Sequence, residues 1–287
     1  MKKNVWIGFI GVLLFAFTLY LALDTFVLSV SYNTDATGEN TALFATEEKD
    51  ESTGDQSASV TLTEYEEYDT KIYVADIVLS SASELKTAFA NDTYGKNVTA
   101  TTSSIAKANN ALLAINGDFY GAQEKGYVIR NGIVYRNTAK GADVLCIYAD
   151  GTMSVVSDRD VSAEELVKQG VWQAFSFGPS LIEDGAVAVD ATTEVGKAMA
   201  SNPRTAIGWI GTNHFVFVVS DGRTDESEGL SLEQLALFMQ GLGVKEAYNL
   251  DGGGSSTMYY NGTVINQPTT NGKIKERGVS DIVYIGA

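Results

Sequence analysis

The chain of 287 residues can hold one large domain or two small ones. Its net charge of −16, from 36 acidic and 20 basic side chains, argues against nucleic-acid binding, which needs a basic surface. The single cysteine, Cys146, excludes an internal disulfide, and the single histidine, His214, excludes a zinc site built from several histidines. Acid–base chemistry in this chain therefore falls to carboxylates.

The N-terminus predicts a signal anchor over residues 1–30. Lys2 and Lys3 precede an uncharged apolar run at residues 5–23, close to the roughly 20 residues that span a bilayer as a helix. A cleavable signal peptide has a shorter apolar region, and residues 21–23 make a poor cleavage site. The lysines place the N-terminus inside, so we expect a single-pass membrane protein whose remaining chain is extracellular. Secretion after signal cleavage is the alternative.

Residues 31–70 are polar and acidic, a composition that predicts a disordered stalk. Apolar and polar side chains alternate at residues 60–65, so the end of the stalk can form a first strand.

Residues 71–287 predict a single catalytic domain of the α+β class, with a core of antiparallel or mixed β-sheet and several helices. Apolar runs predict strands at residues 72–79, 111–115, 215–219 and 281–285. Serine caps predict helices at residues 83–90 and 103–110 and further helices that begin at Ser162 and Ser231. Turn dipeptides predict hairpins at Asn131-Gly132, Asp150-Gly151 and Asn261-Gly262.

The stretch from Tyr248 to Asn261, YNLDGGGSSTMYYN, interrupts a strand with three consecutive glycines. Glycines suit positions that need a positive φ or the close approach of another group to the backbone. The N–H groups of this loop can form a nest for a phosphate or sulfate, and a flexible hairpin loop is the alternative. No Gly-Lys-Ser/Thr follows the glycines, so this is not a Walker loop.

Five polar clusters lie at the ends of predicted strands, where a rigid scaffold displays functional groups. They occupy residues 116–118, 202–205, 220–223, 249–257 and 276–281. Each cluster alone is ordinary turn chemistry. Together they supply arginines for anions, carboxylates for acid–base or metal chemistry and a glycine nest, which fits a substrate with both a sugar and a phosphate.

The motifs INGDFYG, NPRTAIG, SDGR, YNLDGGGSSTMYYNG and ERGVSDIVYIG resemble those of the phosphodiester glycosidase family, in the same order. The resemblance runs from about Tyr73 to the C-terminus, and NLDGGGSSTM is its most specific part. It implies hydrolysis of a glycosidic bond to a phosphate that is itself a diester, which releases the sugar and leaves a phosphate monoester. The expected partner is a phosphorylated glycan of the cell surface or of an exopolysaccharide.

The resemblance also implies a set of site residues. The catalytic candidates are Asp251, Asp221 and Asp118. The substrate-binding candidates are Asn116, Arg204, Arg223, Gly252, Gly253, Gly254, Ser255, Ser256, Thr257, Arg277 and Asp281. Two positions depart from the family's pattern. The family often has glycine at position 118, which weakens a catalytic role for Asp118, and often has proline at Gly278, so this chain should have a looser loop around Arg277.

A phosphate is a good leaving group and needs charge stabilisation more than a strong general acid. We expect Arg204 or Arg277, with the N–H groups of residues 252–255, to hold the phosphate. Asp251, or as second choice Asp221, would then attack the anomeric carbon or activate water. The distance between the carboxylates distinguishes a retaining from an inverting route.

Two other interpretations use the same residues. In the first, Asp118, Asp221 and Asp251 hold Ca²⁺ or Mg²⁺ and the protein is a metal-dependent phosphodiesterase. In the second, the protein binds phosphorylated glycans without catalysis, and Tyr127, Tyr259 and Tyr260 act as stacking platforms for sugars. These tyrosines would otherwise pack within the sheet. No sequence pattern specifies the sugar or an oligomeric state.

Overall fold

A computed structural model describes residues 2–26, 29–32, 58–193 and 201–287. Its α-helices are Lys2–Phe26 (α1), Thr102–Ala108 (α2), Ala163–Lys168 (α3) and Leu232–Gly241 (α4). Within this described part of the chain, no helix is long and apolar enough to cross a membrane. The anchor at residues 1–30 stays a prediction, and most of the predicted stalk, residues 33–57, lies outside the described residues.

Three β-sheets form the body of the protein. Sheet A has seven strands, in the order Ala186–Val187, Ser180–Glu183, Glu246–Asn249, Thr205–Gly211, His214–Ser220, Thr70–Val78 and Ser59–Glu67. Sheet B has five, in the order Thr263–Val264, Met258–Tyr260, Ala111–Asn116, Asp281–Gly286 and Leu85–Phe89. Sheet C has five, in the order Met153–Ser157, Asp143–Tyr148, Val171–Phe175, Val128–Arg130 and Ile133–Arg136.

Three two-stranded ladders complete the strands of the described residues. They pair Val30–Ser31 with Gly95–Lys96, Ala100–Thr101 with Gly278–Val279, and Thr269–Thr270 with Lys273–Ile274. Every strand pair in the described ranges is antiparallel, which decides between the antiparallel and mixed sheets that the sequence left open.

The three sheets share one hydrophobic core. Phe217 of sheet A, Ile115 of sheet B and Leu145 of sheet C meet in it and are fully buried. Alternate side chains on the same strands point outward, and each outer face is covered by one helix: α4 on sheet A, α2 on sheet B and α3 on sheet C. Because both faces of these strands are buried, their sequences are near-continuous apolar runs. The protein is thus a β-rich α+β domain with few helices.

Two sequence predictions about elements are wrong. Residues 83–90 form a short 3₁₀ turn, Ala82–Glu84, and the strand Leu85–Phe89, because this segment pairs with the last strand from Ile285 back to Asp281. The stalk was expected to extend to residue 70, but Ser59–Glu67 pairs with Thr70–Val78 along its whole length, which moves the boundary and confirms the first strand predicted at residues 60–65.

The composition of that first strand explains the second error. Val60 and Leu62 pack partly buried against the core and Tyr65 packs against α4, while the other side chains of the strand, three of them glutamates, are exposed. Ser59–Glu67 is the edge strand of sheet A, and charged side chains on an edge prevent pairing with other chains. The acidic pattern that predicts a stalk is therefore that of a protected edge strand.

The site lies where strand ends of sheets A and B meet. Asn116 ends a strand of sheet B, and its amide oxygen accepts a hydrogen bond of 2.9 Å from Thr205, which begins a strand of sheet A. Asn249 ends the neighbouring strand of sheet A, and the glycine loop leads from there back to Met258 in sheet B. All five polar clusters lie near this junction, and four of them, all but residues 116–118, supply residues that line a cavity there.

Candidate active site

A cavity of about 520 Å³ opens at this junction. Its charged lining residues, among those the structure describes, are Arg204, Arg223, Arg277 and the carboxylate Asp251. Its neutral lining consists of glycines, apolar side chains and amides: Gly178, Gly252, Gly253, Phe177, Pro179, Leu232, Gln123, Asn202 and Asn249. Three cations around one carboxylate, in a protein with a net charge of −16, favour an anionic ligand here.

The glycine loop follows Asp251 because bulkier residues would collide with other backbone and side-chain atoms. A Cβ on Gly252 would lie 2.8 Å from the Pro203 carbonyl oxygen, and a Cβ on Gly254 would lie 2.6 Å from Thr270 Oγ1. Gly253 has a φ of +62°, in the left-handed region that favours glycine. The close packing holds the loop against both neighbours, so it is not a flexible hairpin tip.

The predicted anion nest is partly used by the protein itself. The Gly253 N–H donates to Pro203 O at 2.8 Å, and the Ser255 N–H donates to Gly252 O at 3.3 Å in the 3₁₀ turn Gly253–Ser255. These two N–H groups are therefore committed to holding the loop. The charged donors in the described lining of the cavity are the three arginines.

Asp251 and Arg277 form the central ion pair of the cavity. Arg277 donates to Asp251 Oδ2 at 2.7 Å and to the Ser255 hydroxyl oxygen at 2.6 and 2.9 Å. Burial raises the pKa of the Asp251 carboxyl, and the Arg277 charge and a Ser255 hydrogen bond lower it only in part. The guanidinium also lies 5.5 Å from the centre of the Phe119 ring, within range of a cation–π contact.

The loop that carries Arg277 is held on both sides. Glu276 accepts hydrogen bonds from the Ser103 N–H at 2.9 Å and from the Ser103 hydroxyl at 2.5 Å. Gly278 pairs with Thr101, and a Cβ at Gly278 would lie 2.8 Å from Thr99 Oγ1. The expectation that Gly278 loosens this loop is therefore wrong, because glycine permits the close approach that fixes it.

The other two arginines approach the cavity from sheet A. Arg204 is buried, and its Nε donates to Leu230 O at 2.7 Å. Arg223 is exposed and donates to Asn202 Oδ1 at 2.7 and 3.1 Å. A Cβ on Gly253 would lie 3.0 Å from the Arg223 guanidinium, so the glycine gives this arginine room beside the loop.

Asn116 supports the site from below. Its side-chain amide donates to Asp251 O at 2.7 Å, and its oxygen accepts from the Thr257 N–H at 3.3 Å. Ser256 and Thr257 are fully buried in the same layer. None of the three lines the cavity: Asn116 holds the Asp251 backbone, and Ser256 and Thr257 pack beside it in the interior.

Asp221, the second-choice catalytic residue, also lies outside the cavity lining. Its carboxylate accepts hydrogen bonds from Gln267 N at 2.7 Å, Asn266 Nδ2 at 3.1 Å and the Tyr73 hydroxyl at 3.3 Å. Burial raises the pKa of Asp221, and these hydrogen bonds oppose the rise. Asp221 fixes the loop at residues 266–267, and the structure gives no support to a catalytic role.

Asp118 and Asp281 share a buried arginine, Arg130, that no sequence motif indicated. Arg130 donates to Asp118 at 2.9 Å and to Asp281 at 2.7 Å, and its guanidinium lies 4.2 Å from the centre of the Phe175 ring. Burial raises the pKa of Asp281 to about 7 despite the Arg130 charge. Both carboxylates lie outside the cavity lining, so neither the catalytic role predicted for Asp118 nor substrate binding by Asp281 has support.

The same buried group explains the glycine of the first motif. A Cβ on Gly117 would lie 2.1 Å from Asp281 Oδ1, so no side chain fits there. Phe119, two residues later, has a φ of +59°, which is unusual for a bulky residue. The Asn-Gly-Asp-Phe sequence thus builds a strained support beside Arg277.

The structure gives no support to the two competing interpretations. Among the described residues, no three His, Cys, Asp or Glu side chains are grouped to hold a metal ion. Asp118, Asp221 and Asp251 each have separate partners, as described above. Tyr127 and Tyr259 are buried in the packing of sheets C and B, and half-buried Tyr260 packs against the shared core outside the cavity lining, so none of the three is a platform for sugars there.

The cavity also has lining residues that the sequence did not nominate. Phe177, Gly178 and Pro179 follow the strand Val171–Phe175, and the Gly178–Pro179 peptide is cis. Asn249 donates to Gly178 O at 2.8 Å, which holds this segment at the cavity wall. The place of this segment beside the glycine loop follows from the pairing of Ser180–Glu183 with Glu246–Asn249 in sheet A.

Comparisons with known proteins identify the family of this chain. A profile of the family described as phosphodiester glycosidase matches residues 109–286. The SPbeta prophage-derived uncharacterized protein YomE of Bacillus subtilis is 30% identical over 198 residues, which cover 67% of this chain and 30% of that protein. The human N-acetylglucosamine-1-phosphodiester alpha-N-acetylglucosaminidase is 30% identical over 186 residues, or 59% of this chain and 36% of that protein. The chain thus spans about a third of the length of these relatives.

Solved structures show the same fold. The zebrafish N-acetylglucosamine-1-phosphodiester alpha-N-acetylglucosaminidase catalytic domain, auto-inhibited by its pro-peptide, superposes with a TM-score of 0.63 at 20% identity, covering 80% of this chain and 83% of that one. A hypothetical protein from Synechocystis gives a TM-score of 0.62 at 15% identity, covering 79% and 62%. The profile match includes all four charged residues of the cavity. The chain belongs to the phosphodiester glycosidase family of hydrolases.

Proposed function

We propose that this chain hydrolyses the bond between the anomeric carbon of a sugar and the phosphate of a phosphodiester. The main support for this proposal is the cavity, in which Arg204, Arg223 and Arg277 surround one buried carboxylate, Asp251. The names of the human and mouse relatives support N-acetylglucosamine as the sugar. Water supplies the new oxygen on the anomeric carbon, and the electron pair of the broken bond leaves with the phosphate monoester.

The arginines bind the phosphate and stabilise the charge that grows on it as the bond breaks. Arg204 and Arg223 are held by Leu230 and Asn202, and Arg277 is held by Ser255, so these donors need little rearrangement. A guanidinium fork matches two phosphate oxygens at once. Because the phosphate leaves as a stabilised anion, the site needs no second carboxylate to protonate it.

Asp251 has the properties of the base that activates water. Its raised pKa makes it a better proton acceptor than an ordinary aspartate, and the 2.7 Å hydrogen bond from Arg277 orients it. Among the described lining residues Asp251 is the one carboxylate, so the distance between two carboxylates does not distinguish a retaining from an inverting route here. Direct attack by Asp251 on the anomeric carbon is the other route, and the configuration of the released sugar distinguishes the two.

Hydrolysis in ¹⁸O-labelled water tests the proposal. The full chain is given a methyl diester of N-acetylglucosamine 1-phosphate and, separately, UDP-N-acetylglucosamine, each with and without EDTA. We expect free N-acetylglucosamine carrying the label, an unlabelled phosphate monoester and no effect of EDTA. Label in the phosphate, with release of N-acetylglucosamine 1-phosphate, would instead identify a phosphodiesterase. The absence of turnover for both substrates would refute the proposal.

We also propose that the enzyme is anchored in the cell membrane and acts outside the cytoplasm on cell-surface or exopolysaccharide glycans. This rests on the sequence: Lys2 and Lys3, then the uncharged apolar run at residues 5–23. Fractionation of cells that express the full chain or a chain lacking residues 1–30 tests it. We expect membrane association of the full chain only, at its full mass. A shortened chain in the medium would show a cleaved signal instead.

A further inference from the structure

A small hairpin lies against the glycine loop and leads into the cavity. Its strands are Thr269–Thr270 and Lys273–Ile274, and the Lys275 N–H extends the pairing by donating to Pro268 O at 2.7 Å. Thr270 Oγ1 donates to Gly254 O at 3.4 Å, so one face of the hairpin rests on the glycine loop. Arg277, two residues beyond Lys275, enters the cavity.

The register places three cations on that same face. Thr270 is paired directly with Lys273, and directly opposed side chains lie on one face of an antiparallel pair. Side chains alternate along an extended chain, so Lys275 and Arg277 follow Lys273 on this face. Glu276 gives an independent check, because it points the other way and contacts Ser103 on α2.

The three cations Lys273, Lys275 and Arg277 stand out because most charged side chains of the protein are acidic. The protein carries 36 acidic and 20 basic side chains, so most of its surface repels a polyanion. On the Arg223 side of the cavity, the exposed residues Asp225, Glu226 and Glu228 are acidic. Lys273 and Lys275 are exposed on the hairpin side. An anionic chain that extends out of the cavity therefore has a favourable path over the hairpin and an unfavourable one past Arg223.

We propose that Lys273 and Lys275 form a subsite, continuous with Arg277, for a second phosphate of the substrate. The inference rests on the proposed function and specifies its substrate class. The enzyme would act on a glycan polymer with repeated phosphates, in which the cavity holds the phosphate at the scissile bond and the hairpin holds the next one. A small diester reaches only the cavity.

Kinetics on two substrates test the subsite. The double variant Lys273→Gln/Lys275→Gln is compared with the wild type on the methyl diester and on a sugar-phosphate oligomer that ends in N-acetylglucosamine. We expect the variant to raise the oligomer's KM about five-fold, the order expected from two lost exposed ion pairs, and to change the methyl diester's KM by less than about two-fold. The oligomer's KM should also rise with salt in the wild type.

Lys168→Gln is the matched control, because Lys168 is an exposed lysine on α3 that pairs only loosely with Glu165, at 3.8 Å. It should leave both KM values unchanged. Equal changes in KM for the oligomer and the methyl diester in the double variant would overturn the subsite. Melting temperatures of all variants show whether any effect comes from misfolding.

A binding experiment separates failure of the subsite from failure of the proposed function. Calorimetry on the full chain measures the affinity for inorganic polyphosphate and for orthophosphate, neither of which requires turnover. The double variant should weaken polyphosphate binding by about five-fold and spare orthophosphate. Unchanged polyphosphate affinity would overturn the subsite even if the enzyme hydrolyses diesters. Weakened affinity without any diester hydrolysis would retain the subsite and refute the glycosidase.

Discussion

Asp251 is subject to two opposing influences at the scale of a single residue. Burial favours its protonated form, while Arg277 and Ser255 favour the carboxylate. The result is an aspartate with a raised pKa that is still positioned by a charged hydrogen bond of 2.7 Å. Such a residue can take a proton from water and is held in place for the next turnover.

Replacing Asp251 should abolish most of the activity without unfolding the protein. We expect Asp251→Asn to lower kcat by about 10²–10⁴-fold, the range for losing a general base, with a smaller change in KM. Asparagine keeps the shape and leaves an oxygen for Arg277 to contact. Steady-state kinetics on the methyl diester and a thermal melt measure the two effects.

Asp221→Asn is the comparison, since Asp221 is equally buried but lies outside the cavity lining. It should lower the free energy of unfolding by about 1–3 kcal/mol, because an amide cannot accept all the hydrogen bonds from Gln267, Asn266 and Tyr73. Its kcat should stay within a few-fold of the wild type. A large loss of kcat in Asp221→Asn with full activity in Asp251→Asn would reverse the assignment.

The raised pKa of Asp281 predicts an unusual dependence of stability on pH. Its pKa is raised to about 7 in the folded state, against about 3.9 in an unfolded chain. The folded state therefore binds this proton more tightly, and the stabilisation is complete below about pH 4 and is lost as pH rises through about 7. The wild type should lose at least about 1 kcal/mol of stability between about pH 5 and 8 relative to Asp281→Asn, which cannot titrate.

Denaturant titrations of both proteins across that range measure the difference. Asp225→Asn, at an exposed position in the loop after Arg223, serves as the control and should follow the wild type. If the stability curves of the wild type and Asp281→Asn ran parallel at all pH values, Asp281 would not hold a proton in the folded protein.

At the scale of elements, the glycine loop is fixed by close contacts that a methyl group would break. We expect Gly252→Ala to lower stability by about 1–3 kcal/mol and kcat by at least about ten-fold, because the new Cβ meets a backbone oxygen that cannot rotate away. Gly211→Ala is the matched control, since a Cβ there has no atom within 4 Å. Melting temperatures and kcat values of the two variants measure these effects. Full activity in Gly252→Ala would show that the loop tolerates movement.

Elements with a strong local signal were predicted well. The turn dipeptide at Asn131-Gly132 fixes a hairpin by its own φ angles, and Ser231 with Gln234 forms the capping box that starts α4. Residues 83–90 carried a helix signal as well, yet they form a turn and a strand. Pairing with Asp281–Gly286, almost 200 residues away in sequence, outweighs local propensity there.

The site shows the same division between local and distant signals. The arginines and Asp251 lie in recognisable motifs, so the sequence was sufficient to select them. Arg130 precedes an ordinary hairpin turn, and nothing near it in sequence indicates that Asp118 and Asp281 contact it in the interior. Without that contact, the motif carboxylates Asp118 and Asp281 were indistinguishable from functional ones.

At the scale of the whole molecule, the three sheets depend on one shared core. Removing a strand from any sheet opens that core to water and exposes a new sheet edge. Ser59–Glu67 is the strand most easily removed, because it lies at the edge of sheet A and precedes the rest of the domain in sequence. The acidic composition assigned this strand to the stalk and predicted a domain that begins at residue 71. Its contribution to stability therefore shows whether the domain begins near residue 58 or at residue 71.

Three N-terminal truncations measure that contribution: chains that begin at residues 29, 58 and 71. The chains from residues 29 and 58 should fold cooperatively with similar activity on the methyl diester. Among the described contacts, the second loses the short ladder of Val30–Ser31 with Gly95–Lys96 and the contact of Tyr32 with Tyr94, neither of which includes a residue of the cavity lining. The chain from residue 71 should melt at least about 5 °C lower than the chain from residue 58, since it loses the packing of Val60 and Leu62 against the core. It should also aggregate, because the remainder of the next strand, residues 71–78, becomes an unprotected edge. Equal melting temperatures and solubility for the last two chains would place the domain boundary at residue 71.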